Sequence, residues 1–301
     1  MFGRFAPTPS SDLHVGNLRT ALIAYLAARS SGRGFLLRIE DLDLPRMKDA
    51  NTISENHRRD LNKLGITCEP EVIRQSRRQD IYEQALESIK DLVYECYCSR
   101  SDIAQASLAP HGTTAHYPGT CRDLSASQRK AARHVRPPAL RIRGSSTPFH
   151  CTDLLHGDVV DLVDDFVVRR GDGVFSYNFA VVVDDGLQHV DQVVRGDDLL
   201  SSAPRQAWLA TVLGFTVPNY LHVPLVMGAD GARLAKREKA WSLSRLNQEG
   251  IPTTTVKTHL FDSLQLTPPG EMVTIEDLAT QFAVEKLPRQ PWLVDPWSWK
   301  L

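Results

Sequence analysis

The stretch that most restricts the fold lies in the first forty residues. Gly3–Ala6 reads as a short strand. Leu18, Ala21, Leu22, Tyr25 and Leu26 then fall at i, i+3, i+4, i+7 and i+8, which is one face of a helix. Gly32 and Gly34 break that helix, and Phe35–Ile39 is a second buried strand. Strand, helix and strand in this order form a βαβ unit, so a parallel sheet is expected. His14, Gly16 and Asn17 occupy the turn into the helix. Free backbone N–H groups and the helix dipole make that end attractive to phosphate. A histidine there can donate to phosphate oxygens, and a glycine lets a flat ligand come close. Taken alone, the same three residues also suit an ordinary capped turn.

Composition sets the remaining bounds. A chain of 301 residues has room for about two domains and for a core that needs neither disulfides nor metal. Hydrophobic residues make up 42% and charged residues 24%, with a formal net charge of -1. No global field points to nucleic acid, although a local basic face is compatible with that balance. No secretory leader is expected, because Met1–Arg4 runs directly into the first strand, and no apolar run approaches the roughly 20 residues of a membrane span. The cysteines are Cys68, Cys96, Cys98, Cys121 and Cys151. An odd number without a leader argues for free thiols or a metal in a reducing cytoplasm.

Further along, helical patterns are predicted near residues 50–64 and 79–93. The stretch from Cys96 to Pro138 is rich in Cys, His, Ser, Ala and Pro and reads as an insertion. Short β-type runs follow from Ala139 to Val183. "HVDQVVRG" resumes a buried strand, Ala203–Leu213 a helix, and the region from Trp241 is helical with a Pro- and Trp-rich end.

Five blocks, taken in order, carry a resemblance: "RFAPTPSSDLHVGNLRTAL", "LRIEDLD", "FSYNFAVVVDD", "QVVRGDDLL", and "HVPLV" followed by "GARLAKREKA". Together they resemble the glutamyl-tRNA synthetases, class I enzymes with a "HIGH" motif on a Rossmann-like sheet and a "KMSKS" loop. The chain's length, Val181 where full-length members usually show Asn, and "CYC" with "YPGTC" are similar to a short branch of that family. By resemblance, that branch activates glutamate with ATP without needing tRNA and attaches it to the queuosine base at the wobble position of tRNA(Asp).

The resemblance implies an α/β fold with a zinc-containing insertion and a small helical C-terminal subdomain. Residues 1–94 and 186–240 would form the two halves of the catalytic domain, 95–185 the insertion and acceptor-binding region, and 241–301 the helical end, with no separate anticodon-binding domain. Arg4, Ala6, Thr8, Glu40, Tyr177 and Arg195 match glutamate-binding positions. Forked cations suit a dianionic substrate, and Glu40 suits its ammonium group. His14, Gly16, Asn17, Arg233 and Lys236 match ATP-binding positions, with His14, Gly16 and Lys236 at the reacting phosphates and Mg²⁺ arriving with ATP. Here "RLAK" stands where the pattern has a serine between the last two hydrophobic and basic positions, which bears on loop closure. Cys96, Cys98, Tyr117 and Cys121 match a structural Zn²⁺ site, with His111 and His116 as chemically easier fourth ligands. Partners are L-glutamate, ATP and queuosine-bearing tRNA(Asp), with no membrane, and the chain is expected to be a monomer. Two other readings stay open: a truncated synthetase charging a tRNA 3′ end, and a non-catalytic RNA-binding or glutamate-sensing paralogue. "HRRD" (57–60) and "RQSRRQD" (74–80) suit either phosphate contact or solvated faces. Trp292, Trp297 and Trp299 suit either base stacking or packing of the tail.

Overall fold

The computed structural model describes residues 1–43, 47–99, 101–102, 117–232, 234 and 241–300. Strand β1 (Phe2–Phe5) leads into helix α1 (Val15–Ser30), and the chain returns as β2 (Gly34–Ile39), parallel to β1. Eleven residues of α1, from Val15 to Ala28, are buried. A helix covered on nearly every side is an interior element. Helix α2 (Ala50–Leu64) ends at Gly65, whose φ of 89° is the left-handed conformation that glycine adopts without strain. The edge strand β3 (Ile73–Arg74) follows, and then α3 (Gln79–Ser88).

The predicted helix over 79–93 stops at Ser88, and a 3-10 turn spans Lys90–Leu92. Val93 instead opens β4 (Val93–Cys96), which pairs antiparallel with β5 (Ala139–Ile142). Helix α4 (Ala126–Arg133) lies between them in sequence and buries none of its residues. Next come β6 (Pro148–Asp153), β7 (Gly157–Leu162) and β8 (Phe166–Arg169). Strands β4, β5 and β8 make a separate three-stranded sheet, whereas β6 and β7 join the main one. The stretch 95–185 therefore contributes to both sheets.

The β-type reading does not hold as far as Val183. Tyr177–Leu187 is helix α5, capped by the Ser176 hydroxyl, which accepts from the Phe179 N–H. Phe179 to Asp185 are all buried in it. A cap and burial from several directions outweigh the modest β preference of three consecutive valines.

Strand β9 (Val190–Gly196), helix α6 (Ala203–Val212) and strand β10 (Asn219–Val223) complete the main sheet. Its order is β3-β2-β1-β9-β10-β6-β7, parallel apart from the β6–β7 hairpin. Beyond it lie β11 (Val226–Gly228), the helices α7 (Leu243–Gln248), α8 (Thr253–Asp262) and α9 (Ile275–Gln281), and β12 (Trp292–Val294). The tail is not wholly helical, because β12 pairs in parallel with β11. Its apolar residues, among them Leu243, Leu260, Leu278 and Trp299, share one core with α1. Trp299 stacks on His259 at 4.5 Å and on Trp292 at 6.1 Å, so these two indoles serve tail packing. Trp297 is 37% exposed, between the cations of Arg245 and Lys300. No helix among the described residues is long and apolar enough to cross a membrane.

Candidate active site

Parallel strands β2, β1, β9 and β10 are neighbours, so their carboxyl ends open on one edge of the sheet, where ligands of open α/β folds bind. Arg4 lies on β1, Glu40 directly follows β2, and Arg195 lies near the end of β9. All three are buried, with 4%, 8% and 6% of their surface exposed. Tyr177, the first residue of α5, feels the charges of Glu40, Arg195, Arg4 and Asp185. Burial first, and then Glu40, raise its phenol above the ordinary tyrosine range. Ala6 and Thr8 follow β1 in the loop that Glu40 closes, its N–H donating to Pro7 O at 3.0 Å. Thr8 is exposed there and Ala6 partly buried.

Beneath these groups lies a charged cluster to which the sequence reading gave no role. Arg38, with none of its side chain exposed, contacts Asp185 Oδ1 at 2.7 Å, Glu40 Oε1 at 3.5 Å and Asp184 Oδ2 at 3.8 Å. It also donates to Gln188 Oε1 at 2.9 Å. Arg4 Nε donates to Asp185 Oδ1 at 3.3 Å, and its Nη1 to Val194 O at 3.3 Å. Asp184 accepts from Arg78 Nε at 2.6 Å, Gln75 Nε2 at 2.7 Å and the Tyr82 hydroxyl at 2.9 Å. Burial opposes ionisation of Asp185, yet Arg38 and Arg4 hold its carboxyl below the usual range. Glu40 resolves the same contest the other way: burial outweighs Arg38 and Arg4 and pushes it up to about 7. Only the positions of Arg38, Asp184 and Asp185, charges at the ends of the apolar runs "FLLRI" and "AVVVDD", hinted at such a cluster.

At the phosphate-attracting turn, His14 caps α1. Its Nδ1 accepts from the Asn17 N–H at 3.3 Å, while Asn17 Oδ1 accepts from the His14 N–H at 3.2 Å. An Nδ1 that accepts leaves the proton of the neutral ring on Nε2 as a donor. Burial lowers the His14 pKa and favours that neutral ring. Gly16 has no room for a side chain, because a Cβ there would lie 2.9 Å from His14 Cε1. Arg233 and Lys236, like His111 and His116, lie outside the described residues.

The model of tRNA synthetases class I (E and Q), catalytic domain, matches residues 2–297. The chain belongs to this family. Among its relatives, the glutamyl-Q tRNA(Asp) synthetase of Nocardia farcinica is 51% identical over 295 residues, 97% of this chain and 92% of that protein. The protein of the same name from Cutibacterium acnes is 50% identical over 265 residues, 88% of this chain and 76% of that one. The crystal structure of a glutamate tRNA ligase from Elizabethkingia meningosepticum, in complex with its amino acid, superposes with a TM-score of 0.81 at 22% identity. It matches over 99% of this chain and 68% of that one, which establishes the shared class I synthetase fold.

In this class I synthetase, a second cluster forms between the end of β4 and residues 117–121. The sulfurs of Cys96, Cys98 and Cys121 lie within 4.8 Å of one another. Cys98 Sγ is 3.5 Å from Cys121 Sγ, and the Tyr117 hydroxyl is 3.4 Å from Cys96 Sγ and 3.7 Å from Cys98 Sγ. A tetrahedral zinc with bonds of about 2.3 Å to sulfur and about 2.0–2.2 Å to oxygen has edges of roughly 3.5–3.8 Å. The separations of 3.4, 3.5 and 3.7 Å lie close to those edges. Cys68 and Cys151 lie apart from this group, and burial pushes each thiol up to about 11.

The two basic stretches divide between interior and surface, with Arg58 and Arg59 exposed and Arg58 paired with Glu55. His57 is fully buried, its Nε2 2.8 Å from Ser11 O, and Asp60 is bound to Lys63. Arg74 pairs with Asp41 and Arg78 with Asp184, which leaves Arg77 as the exposed cation of its stretch.

Removing Arg38 should take the ion pair from Glu40 and leave Asp185 with Arg4 and Asp184 with Arg78 as their remaining cations. Arg38→Ala is expected to cost about 3–5 kcal/mol in urea unfolding, the usual penalty for breaking a buried charge pair on one side. Arg38→Lys should recover only part, because one ammonium cannot span Asp185, Glu40 and Gln188 together. A loss below about 1 kcal/mol for Arg38→Ala would show the cluster to be dispensable to the fold.

Proposed function

We propose that this protein activates L-glutamate with ATP, without needing tRNA, and transfers it to the queuosine base at the wobble position of tRNA(Asp). The observation that carries this reading is 51% identity along 92% of the length of a relative with that name. The site chemistry agrees with it: two guanidinium groups suit the two carboxylates of glutamate, and one carboxylate suits its ammonium group. Glu40 would pair with the ammonium, Arg4 and Arg195 would take the carboxylates, and the Tyr177 hydroxyl would add a hydrogen bond. The backbone at Ala6 and Thr8 would wall the pocket.

Two displacements follow. In the first, a carboxylate oxygen of glutamate bonds to the α-phosphorus of ATP and the bond to the bridging oxygen breaks, releasing pyrophosphate. In the second, a hydroxyl oxygen of the queuosine cyclopentenediol bonds to the acyl carbon, AMP departs and the hydroxyl proton is released. Neither step needs a protein nucleophile. Catalysis is positioning and charge stabilisation. Nε2–H of His14 and the N–H of Gly16 would hold phosphate at the positive end of α1, where the N–H groups of Val15 and Asn17 are already engaged by Trp241 O and His14 Nδ1. Arg233 and Lys236 would neutralise the triphosphate, and Mg²⁺ belongs to the ATP substrate.

We further propose a structural Zn²⁺ on Cys96, Cys98, Cys121 and Tyr117. Such a closed site joins the end of β4 to the 117–121 turn and leaves no position for substrate.

Glu40 sets the pH response. The ionised form must meet the ammonium, and in the free enzyme it titrates at about 7. Below that pH, glutamate binding has to expel a proton, so the glutamate KM should rise about tenfold per pH unit as pH falls. Turnover at saturating glutamate should change less, and Glu40→Gln should abolish the slope. A glutamate KM that is flat from pH 5.5 to 8 in the wild type would remove Glu40 from the amine.

Metal analysis of protein purified without chelator should give about one zinc per chain. Cys98→Ser should lose it and expose residues 95–140 to protease, while glutamate-dependent pyrophosphate exchange largely persists. Zinc-free protein with unaltered protease resistance would refute the site.

The acceptor separates the competing readings. Radiolabelled glutamate should enter queuosine-containing tRNA(Asp) as an alkali-labile ester, and should enter neither the unmodified transcript nor tRNA(Glu). Exchange of pyrophosphate should depend on glutamate and proceed without tRNA. Efficient charging of a tRNA(Glu) transcript at its terminal adenosine would favour a truncated synthetase, and absence of exchange a non-catalytic paralogue.

A further inference from the structure

The two arginines of the site are held in different ways. Arg4 is paired with a carboxylate, Asp185. Arg195 donates to three neutral acceptors instead: His222 Nε2 at 2.9 Å, Gln206 Oε1 at 2.7 Å and Leu199 O at 3.3 Å. His222 sits on β10 in register with Arg195 on β9. Behind it, Asp153 at the end of β6 approaches His222 Nδ1 to 2.7 Å. His222 has 0% and Asp153 1% of its surface exposed.

This chain of contacts fixes a proton. A guanidinium can only donate, so the Nε–H of Arg195 requires a lone pair on His222 Nε2. The ring proton must then lie on Nδ1, where Asp153 Oδ2 accepts it. Asp153 is itself immobilised by the N–H groups of Leu155, His156 and His222, each at 2.9 Å. An imidazolium in this place would set an N–H against an N–H and a cation against a cation. Burial and Arg195 act against that form, while Asp153 acts for it, and the ring's pKa lies below its ordinary value.

We propose that Asp153 and His222 are positioning residues that present Arg195 to a substrate carboxylate with its charge uncompensated, by holding His222 as the neutral Nδ1–H tautomer. A carboxylate in place of the imidazole would fix Arg195 equally well but cancel much of the charge that the ligand needs. The contacts use one hydrogen on each guanidinium nitrogen. Among the described residues, one hydrogen on each Nη is thus left for a two-pronged contact. This inference rests on the reading of Arg195 as a glutamate ligand.

The test combines ring ¹⁵N NMR of histidine-labelled protein with glutamate-dependent pyrophosphate exchange. The wild type should show an Nδ1–H ring that vanishes in His222→Gln. Asp153→Asn keeps volume but offers His222 Nδ1 a donor, so the ring should switch to Nε2–H and turn its proton against Arg195. The glutamate KM of Asp153→Asn should rise at least about tenfold, with the ATP KM within about twofold. His222→Gln retains a neutral acceptor and should be milder. In that background Asp153→Asn should add little, because no tautomer remains to be set. An Nε2–H ring in the wild type, equal rises in both KM values, or additive effects in the double variant would overturn the proposal. Failure of the wild type to exchange pyrophosphate would instead overturn the functional reading, while the tautomer would still be read directly from the spectrum.

Discussion

Arg38 is buried completely, and three carboxylates lean on it. Desolvating that many charges is tolerable only when each finds an opposite charge or a hydrogen bond. The cluster therefore dictates how β1, β2 and α5 meet: Arg4 comes from β1, Arg38 and Glu40 from β2 and its end, and Asp184 and Asp185 from α5. Tyr82 and Arg78 close it from the side of α3. The candidate ligand groups are the upper members of this array, so substrate recognition and the packing of the sheet rest on the same contacts.

The same array divides labour among its acids. Asp185, touched by both Arg4 and Arg38, stays ionised and acts as scaffold. Among the described residues, the Glu40 carboxylate has only the longer 3.5 Å contact with Arg38, and burial pushes it up to about 7. A carboxylate in that condition lacks a full partner, which is what an incoming ammonium can provide. The contrast between Arg4 and Arg195 has the same character: one is pinned by a charge, the other by dipoles.

Local signals made the βαβ unit readable, because Leu18 to Leu26 keep helical spacing between two glycine-bounded strands. Arg4, Glu40 and Arg195 were legible only through motifs, since a charge at a strand end looks alike whether it binds a ligand or water. Arg38, Asp153 and His222 carried no such mark. What defines them is a partner on another strand or helix, and spacing along the chain does not encode that. Val181–Val183 favour a strand by β-branching alone, whereas the Ser176 cap and burial decide for helix, and the pairing of Trp292–Val294 with β11 leaves no mark because three residues show no period.

The long reach of these contacts has a consequence for how the molecule is made. Arg4 meets Asp185 across 181 positions and Val194 across 190, and Arg19 of α1 meets Ser263 across 244. A nascent chain thus exposes its first strand and helix long before their partners emerge, and non-local pairing of this kind slows folding. Until α5 has left the ribosome, Arg4 and Arg38 have no acid from it to neutralise them. The N-terminal βαβ unit cannot complete its buried charge pairs by itself, and the pocket can close around an amino acid only once the greater part of the polypeptide has been synthesised.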